Sequence, residues 1–247
     1  MLTTSFRTVV AAALLAALTT LPAAAGSLDA ARAAWSEGRF VEAADLAEAA
    51  GGANGLAFAA ESLAVQAYFV APKADRPALF ERALALVARA VEAEPDAAFT
   101  HMAAARVMGR HGQTLTTGEA QDRGYGTKIR DTLERALELK PDSVQAMTGL
   151  AAWNARVVSV LGSFLGRITY GARESTAHEL FDRALKGAPG EKVPLYEYAR
   201  ALRMLEGDMD RAKDLLQQAL ALPAKNAYQR IIDERAAALL AEIEADG

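Results

Sequence analysis

The chain has 247 residues, 52% of them hydrophobic but only 6% aromatic, with 23% charged and a net charge of −4. An aliphatic, alanine-rich composition favours helices over sheets, and this apolar content excludes a disordered polymer. The acidic balance argues against a dedicated nucleic-acid binder, and the absence of cysteine excludes disulfides, thiolate metal sites and cysteine nucleophiles.

Residues 1–7 form a short segment with one basic side chain, Arg7, and residues 8–21 (TVVAAALLAALTTL) are apolar and uncharged. Pro22 breaks the helix, and Ala23, Ala24 and Ala25 follow. This is the pattern of a secretory signal peptide over 1–25, cleaved between Ala25 and Gly26. The apolar run is shorter than the ~20 residues a membrane span needs. The expected mature chain, 26–247, is a single exported domain, periplasmic in a bacterium, with no stable membrane span.

The mature chain reads as helix pairs at 28–36/40–50, 54–70/77–93, 97–111/126–139, 143–165/174–187 and 194–206/209–221, then a closing helix at 227–244. Gly38 and Gly207 mark hairpin turns where left-handed backbone is expected. Ala43 and Ala212, five residues after each, let the paired helices approach closely. Asp96 and Asp142 follow prolines and read as N-caps, Asp142 with Gln145 at capping-box spacing. The closing helix, apolar at Ile232, Leu239, Leu240 and Ile243, reads as the polar-faced cap of an open array.

Four segments repeat: 86–95 (LVARAVEAEP), 133–141 (LERALELKP), 181–189 (FDRALKGAP) and 216–223 (LQQALALP). Each places a large apolar residue three before an alanine: Val87/Ala90, Leu133/Ala136, Phe181/Ala184 and Leu216/Ala219. Ala83, Ile129, Ala177 and Ala212 stand seven before, so one helical stripe is traced. A proline then ends each unit, since it has no N–H to donate and restricts its predecessor. The alanines lie 46, 48 and 35 residues apart. A helix-turn-helix of about 34 residues is the tetratricopeptide period, with roughly a dozen extra residues in each of the two longer units. The fold expected is all-α, a tetratricopeptide-type α-solenoid of about five helix pairs plus a C-terminal capping helix.

Residues 125–153 (YGTKIRDTLERALELKPDSVQAMTGLAAW) resemble the repeat core of the regulator of microtubule dynamics family, where a basic helix ends in A-hydrophobic-E-L-x-P and a small-residue-plus-tryptophan step follows. The similarity continues through Phe164-Leu165-Gly166, Ala184-Leu185, 196–199 (YEYA) and 219–223 (ALALP), covering roughly 95–245. A weaker likeness is to the periplasmic T-component of tripartite ATP-independent transporters. The first resemblance implies the fold and says little about activity.

His101, His111 and His178 show no paired-ligand spacing and read as surface or helix-end residues. No phosphate loop, dinucleotide fingerprint or nucleophile elbow is present. Carboxylate pairs such as Glu134/Glu138 read as solvated helix faces. No catalytic residue, metal or cofactor is therefore expected, and the chain reads as non-enzymatic.

Two insertions, 111–125 and 159–173, fall at the same point of successive repeats and should emerge on one side of the array. Residues 143–173 hold Arg156, Arg167 and Arg173 but no acid, and their apolar residues occupy more than one helical face. Such a helix is either central to the array or covered by a partner. Arg123, Tyr125, Lys128, Arg130, Arg156, Phe164, Arg167, Tyr170 and Arg173 are the candidate partner-binding residues, arginine and aromatics being common interface anchors. Trp153 reads as core. Two functions follow as expectations. The first is an exported scaffold binding a protein or peptide partner in the cell envelope. The alternative is a carrier of a small apolar or lipid-like solute associated with a membrane transporter. A closed pocket favours the carrier and an open groove the peptide binder.

Overall fold

The computed structural model describes residues 28–246, so the expected leader at 1–25 lies outside the described residues. The described elements are α1 (Leu28–Glu37), α2 (Phe40–Ala50), α3 (Gly52–Val65), α4 (Arg76–Ala93), α5 (Ala98–Gly112), α6 (Thr117–Asp122), α7 (Tyr125–Leu139), α8 (Val144–Tyr170), α9 (Glu174–Gly187), α10 (Lys192–Met204), α11 (Met209–Ala221) and α12 (Ala227–Asp246). A π turn, Gln66–Val70, extends α3. The pairs α1/α2, α3/α4, α5/α7, α8/α9 and α10/α11 stack in order, so the helix-pair array is as expected. No described helix is long and apolar enough to cross a membrane.

The repeated stripe is what packs. Ala90, Ala136, Ala184 and Ala219 are each fully buried, as are Ala83 and Ala212, and their partners Val87, Leu133, Phe181 and Leu216 are buried beside them. Methyl side chains at these positions bring the helices of a pair together, and each large partner contributes about 1.5–3 kcal/mol by leaving water. Phe181 stacks on Tyr198 at 4.6 Å between ring centres, joining α9 to α10. Two apolar clusters result. One spans α1–α5 and the other α5–α12, and α5 gives Ala103, Ala104 and Val107 to the first and Met102 and Ala105 to the second.

Several local expectations are corrected. Ser143, not Asp142, caps α8: its hydroxyl accepts from the Ala146 N–H at 3.2 Å. The Pro141-Asp142 turn closes through Ser143 N to Lys140 O at 3.1 Å, which starts the helix one residue late and leaves Asp142 exposed. Asp96 does not cap α5 but pairs with Arg135 of α7 at 2.8 Å. The capping box forms instead at Thr116 and Glu119, opening α6 within the first insertion. Gly38 adopts the left-handed backbone expected, φ 93°, but at the other hairpin Glu206 does so, φ 52°. Gly207 serves close approach, since a Cβ there would lie 3.3 Å from Leu202 Cδ2.

The C-terminal helix is more than the cap of an open array. α12 packs on α10 and α11 and also reaches back to α1. Ala227 joins Phe40 and Val65 in a small apolar cluster flanked by Trp35, Phe69, Tyr228 and Ile231. Tyr228 lies 5.8 Å from Trp35 and 5.7 Å from Phe69. The π turn aims Tyr68 and Phe69 at this seam, where Arg235 sits 4.7 Å over the Phe69 ring. Arg230 donates to Ser36 O at 3.3 Å. The array therefore curves until its two ends meet.

A central cavity as the candidate functional site

The curved array frames a cavity of about 920 Å³ that is broadly open to solvent, near the upper end of small-molecule sites. Its lining comes from α1, α3, α5, α6, α7, α8, α10 and α12, and none comes from α2, α4, α9 or α11. In each pair the first helix faces inward, and the second faces out except for α7, which lines the cavity through Tyr125, Gly126, Ile129 and Leu133. α6 contributes Thr117, Ala120 and Gln121, and the far end of α8 contributes Val160, Leu161, Leu165 and Tyr170. The two insertions thus emerge on one side, as their equivalent positions required.

The apolar part of the lining comprises Met102, Ala105, Ile129, Leu133, Ala152, Val157, Leu161, Val193 and Pro194. Trp153 is buried, 8% exposed, and donates from Nε1 to Gly126 O at 2.9 Å, so it is both core and lining. Several charged and polar groups of the lining are paired within the protein. Arg106 pairs with Glu61 at 2.7 Å and Arg200 with Glu197 at 2.6 Å. The Glu197 charge pushes the Arg200 guanidinium well above its ordinary value, and the Glu61 charge raises that of Arg106. Gln113 Oε1 accepts from both Tyr68 Oη and Arg200 Nη1, each at 3.1 Å. Arg110 lies over the Tyr228 and Phe69 rings at 5.5 and 5.8 Å. Arg156, on the cavity wall and exposed, has no ion-pair partner among the described residues.

The sequence-chosen residues divide. Tyr125, Arg156 and Tyr170 line the cavity. Tyr125 is buried and shares a 2.8 Å hydrogen bond with His111 Nδ1, and burial raises its phenol above the usual range. Tyr170 lies against the start of α7, where a Cβ on Gly126 would come within 2.4 Å of its ring. Arg130 donates to Tyr170 O at 2.9 Å and pairs with Asp131 at 2.7 Å. Arg123, Lys128, Phe164, Arg167 and Arg173 are exposed and contribute nothing to the lining. The arginines of α5 and α10 and the aromatics Trp35, Phe58 and Tyr228 went unselected. Their signal, inward positions on α1, α3, α5, α10 and α12, exists only once the array is seen to curve until its ends meet.

His111 is at a helix end, as expected, but buried rather than exposed, and it stacks on Phe80 at 4.8 Å. Burial, and next the Arg123 charge, lower its pKa. Among the described residues no group of His, Asp or Glu is arranged to hold a metal ion.

A family model described as "Regulator of microtubule dynamics protein 1-3" matches residues 56–244. No curated protein matches the chain. Among solved structures, a thermophilic tetratricopeptide-repeat protein of Thermus thermophilus is similar over 87% of this chain and 97% of its own, with TM-score 0.61 at 17% identity. That likeness concerns the fold alone. A monomeric mutant of IFIT1 with Gppp-AAAA is similar over 75% of this chain and 50% of its own, at 16% identity, but its TM-score of 0.38 carries no argument.

Proposed function

This chain belongs to the regulator of microtubule dynamics family, and we propose that it is an exported, non-enzymatic binding protein whose central cavity takes a lipid-like anionic solute. The coarse role, a tetratricopeptide-type interaction scaffold, accompanies the fold. The export step rests on the leader pattern of residues 1–25.

One observation carries the choice of ligand. Two of the cavity's arginines, Arg106 and Arg200, are already paired with Glu61 and Glu197, and most of the surface the lining exposes is apolar. An extended peptide brings a backbone N–H and C=O at every residue, and each needs a partner when buried. An acyl chain needs none. Arg156 supplies a cation without a competing carboxylate, suited to an anionic head group. A protein segment in the same cavity is the second reading. It is favoured by the repeat fold, which commonly binds proteins, and by Arg106, Arg110 and Arg200 beside the aromatics.

Native mass spectrometry of the purified protein, with solvent extraction of what it carries, tests the choice. The expected result is an added mass that extracts as an acyl-chain anion. Val157→Trp, which fills the apolar wall, should abolish it, and Arg156→Glu should weaken it. A bare chain mass with no thermal shift from fatty acids or phospholipids, together with saturable binding of peptides, would transfer the assignment to the second reading.

A further inference from the structure

We propose that the far end of α8 is a docking surface for an anionic lipid bilayer. This does not rest on the contents of the cavity.

α8 is two helices joined at Gly162, whose backbone (φ 77°, ψ 160°) is not helical. Beyond it the chain folds back: Gly166 lies on the start of its own hairpin, where a Cβ would be 3.5 Å from Val157 Cγ1. The Arg173 N–H then closes onto Asn154 Oδ1 at 2.9 Å. The turned-back segment buries Gly166 and leaves its other side uncovered. Phe164 and Ile168, 66% and 64% exposed, stand outside the cavity, while Leu165 and Val160, 54% and 44% exposed, also line it. Positions 164, 165 and 168 share one helical face. These four make up most of the large apolar side chains exposed among the described residues, the others being Val41 and Val70. Their concentration on one short segment is what marks an interaction surface.

Charge selects the occupant. Residues 143–173 hold three arginines and no acid in a chain of net −4. Arg167 and Arg173 flank the apolar face, are exposed, and have no ion-pair partner among the described residues. Glu174, the first acid after the stretch, faces His178 at 3.6 Å instead. A second copy of the chain would bring the same arginines against each other. An anionic membrane surface accepts both parts at once, the apolar side chains at the acyl boundary and the guanidinium groups among the phosphates.

The chain has no cysteine, so one can be placed at will. Phe164→Cys, labelled with an environment-sensitive dye, should shift to the blue on phosphatidylglycerol-containing vesicles and not on pure phosphatidylcholine. Val41→Cys, exposed on α2, should not respond. In cosedimentation the Phe164→Glu/Ile168→Glu variant should lose at least about tenfold in partition. Arg167→Gln/Arg173→Gln should lose the preference for anionic vesicles. All variants keep the same N-terminus, so its contribution cancels, and equal circular-dichroism melts check that they fold. The proposal is overturned by equal response at both dye positions, by binding that ignores lipid charge, by variants that bind like wild type, or by a dimer in sedimentation that the Phe164 variant dissolves.

Discussion

Replacing Asp233 by alanine should destabilise the protein more than the position of Asp233 implies. Lys192 opens α10 and is 1% exposed, and its ammonium is held by Asp233 of α12. Two effects oppose a cation there: desolvation of the charge and the positive end of the α10 dipole. The Asp233 carboxylate offsets both. Removing one side of a buried ion pair costs about 3–5 kcal/mol because the other charge is stranded. Asp233 itself is 30% exposed, so water screens part of the loss and the lower end of that range, about 3 kcal/mol, applies. Lys192→Met removes the buried charge, keeps most of the stem, and leaves a carboxylate that can turn to water. Its cost should stay within about 1 kcal/mol. The asymmetry is the test. Urea denaturation of both variants gives the two costs, and at about 2–4 °C per kcal/mol Asp233→Ala should melt roughly 6–12 °C lower. Hydrogen exchange should rise first in α12 and α10, since in stacked repeats each element answers mainly to its neighbours. Equal costs for the two variants, or an Asp233→Ala protein within about 1 kcal/mol of wild type, would refute the reasoning.

Gly126→Ala places a Cβ 2.4 Å from the Tyr170 ring and should cost about 1–3 kcal/mol through overpacking. Adding Tyr170→Ala should return part of that, and a denaturation double-mutant cycle showing strict additivity would sink the contact. His111, whose pKa is lowered by burial, binds its proton more weakly folded than unfolded. Stability should therefore be intact above the ordinary value of 6.5 and fall as pH drops below it toward the lowered value. Urea midpoints across that window should show a slope that His111→Gln flattens. Tyr228→Ala removes the ring that meets Trp35, Phe69 and Arg110. It should cost about 1–3 kcal/mol and enlarge the radius of gyration in small-angle scattering. An unchanged radius would mean that the seam does not hold the two ends together.

The pairing of helices was legible because it is local. An alanine three residues past a large apolar residue, ended by proline, states both the stripe and its end, and all four such alanines are fully buried. Caps failed where one residue of turn geometry decides between Asp142 and Ser143. The region 159–173 was visible as a charge bias, but its fold-back depends on Gly162 adopting a backbone that the sequence does not announce. The cavity was legible only in part. Tyr125, Arg156 and Tyr170 sit in or beside the insertions, where an irregular sequence draws attention. Arg106, Arg110 and Arg200 sit in ordinary helices, and their convergence depends on the curvature of the whole array.

Closure was the least legible feature, and α12 shows why. Ile232, Ala236 and Ile243 are buried toward the preceding repeat, while Ala227, Tyr228 and Ile231 meet the α1 side. A helix covered from two directions has no single apolar stripe, so it resembles a polar-faced cap when read alone. The contact it makes, Arg230 to Ser36, joins residues 194 apart. Closing a loop of that length in a free chain carries an entropy cost that grows slowly with length, but here stacking has already brought the ends together. A few aromatic and cation–π contacts at the seam then suffice, each of order 0.5–1.5 kcal/mol. The same arithmetic makes the seam the weakest join in the array.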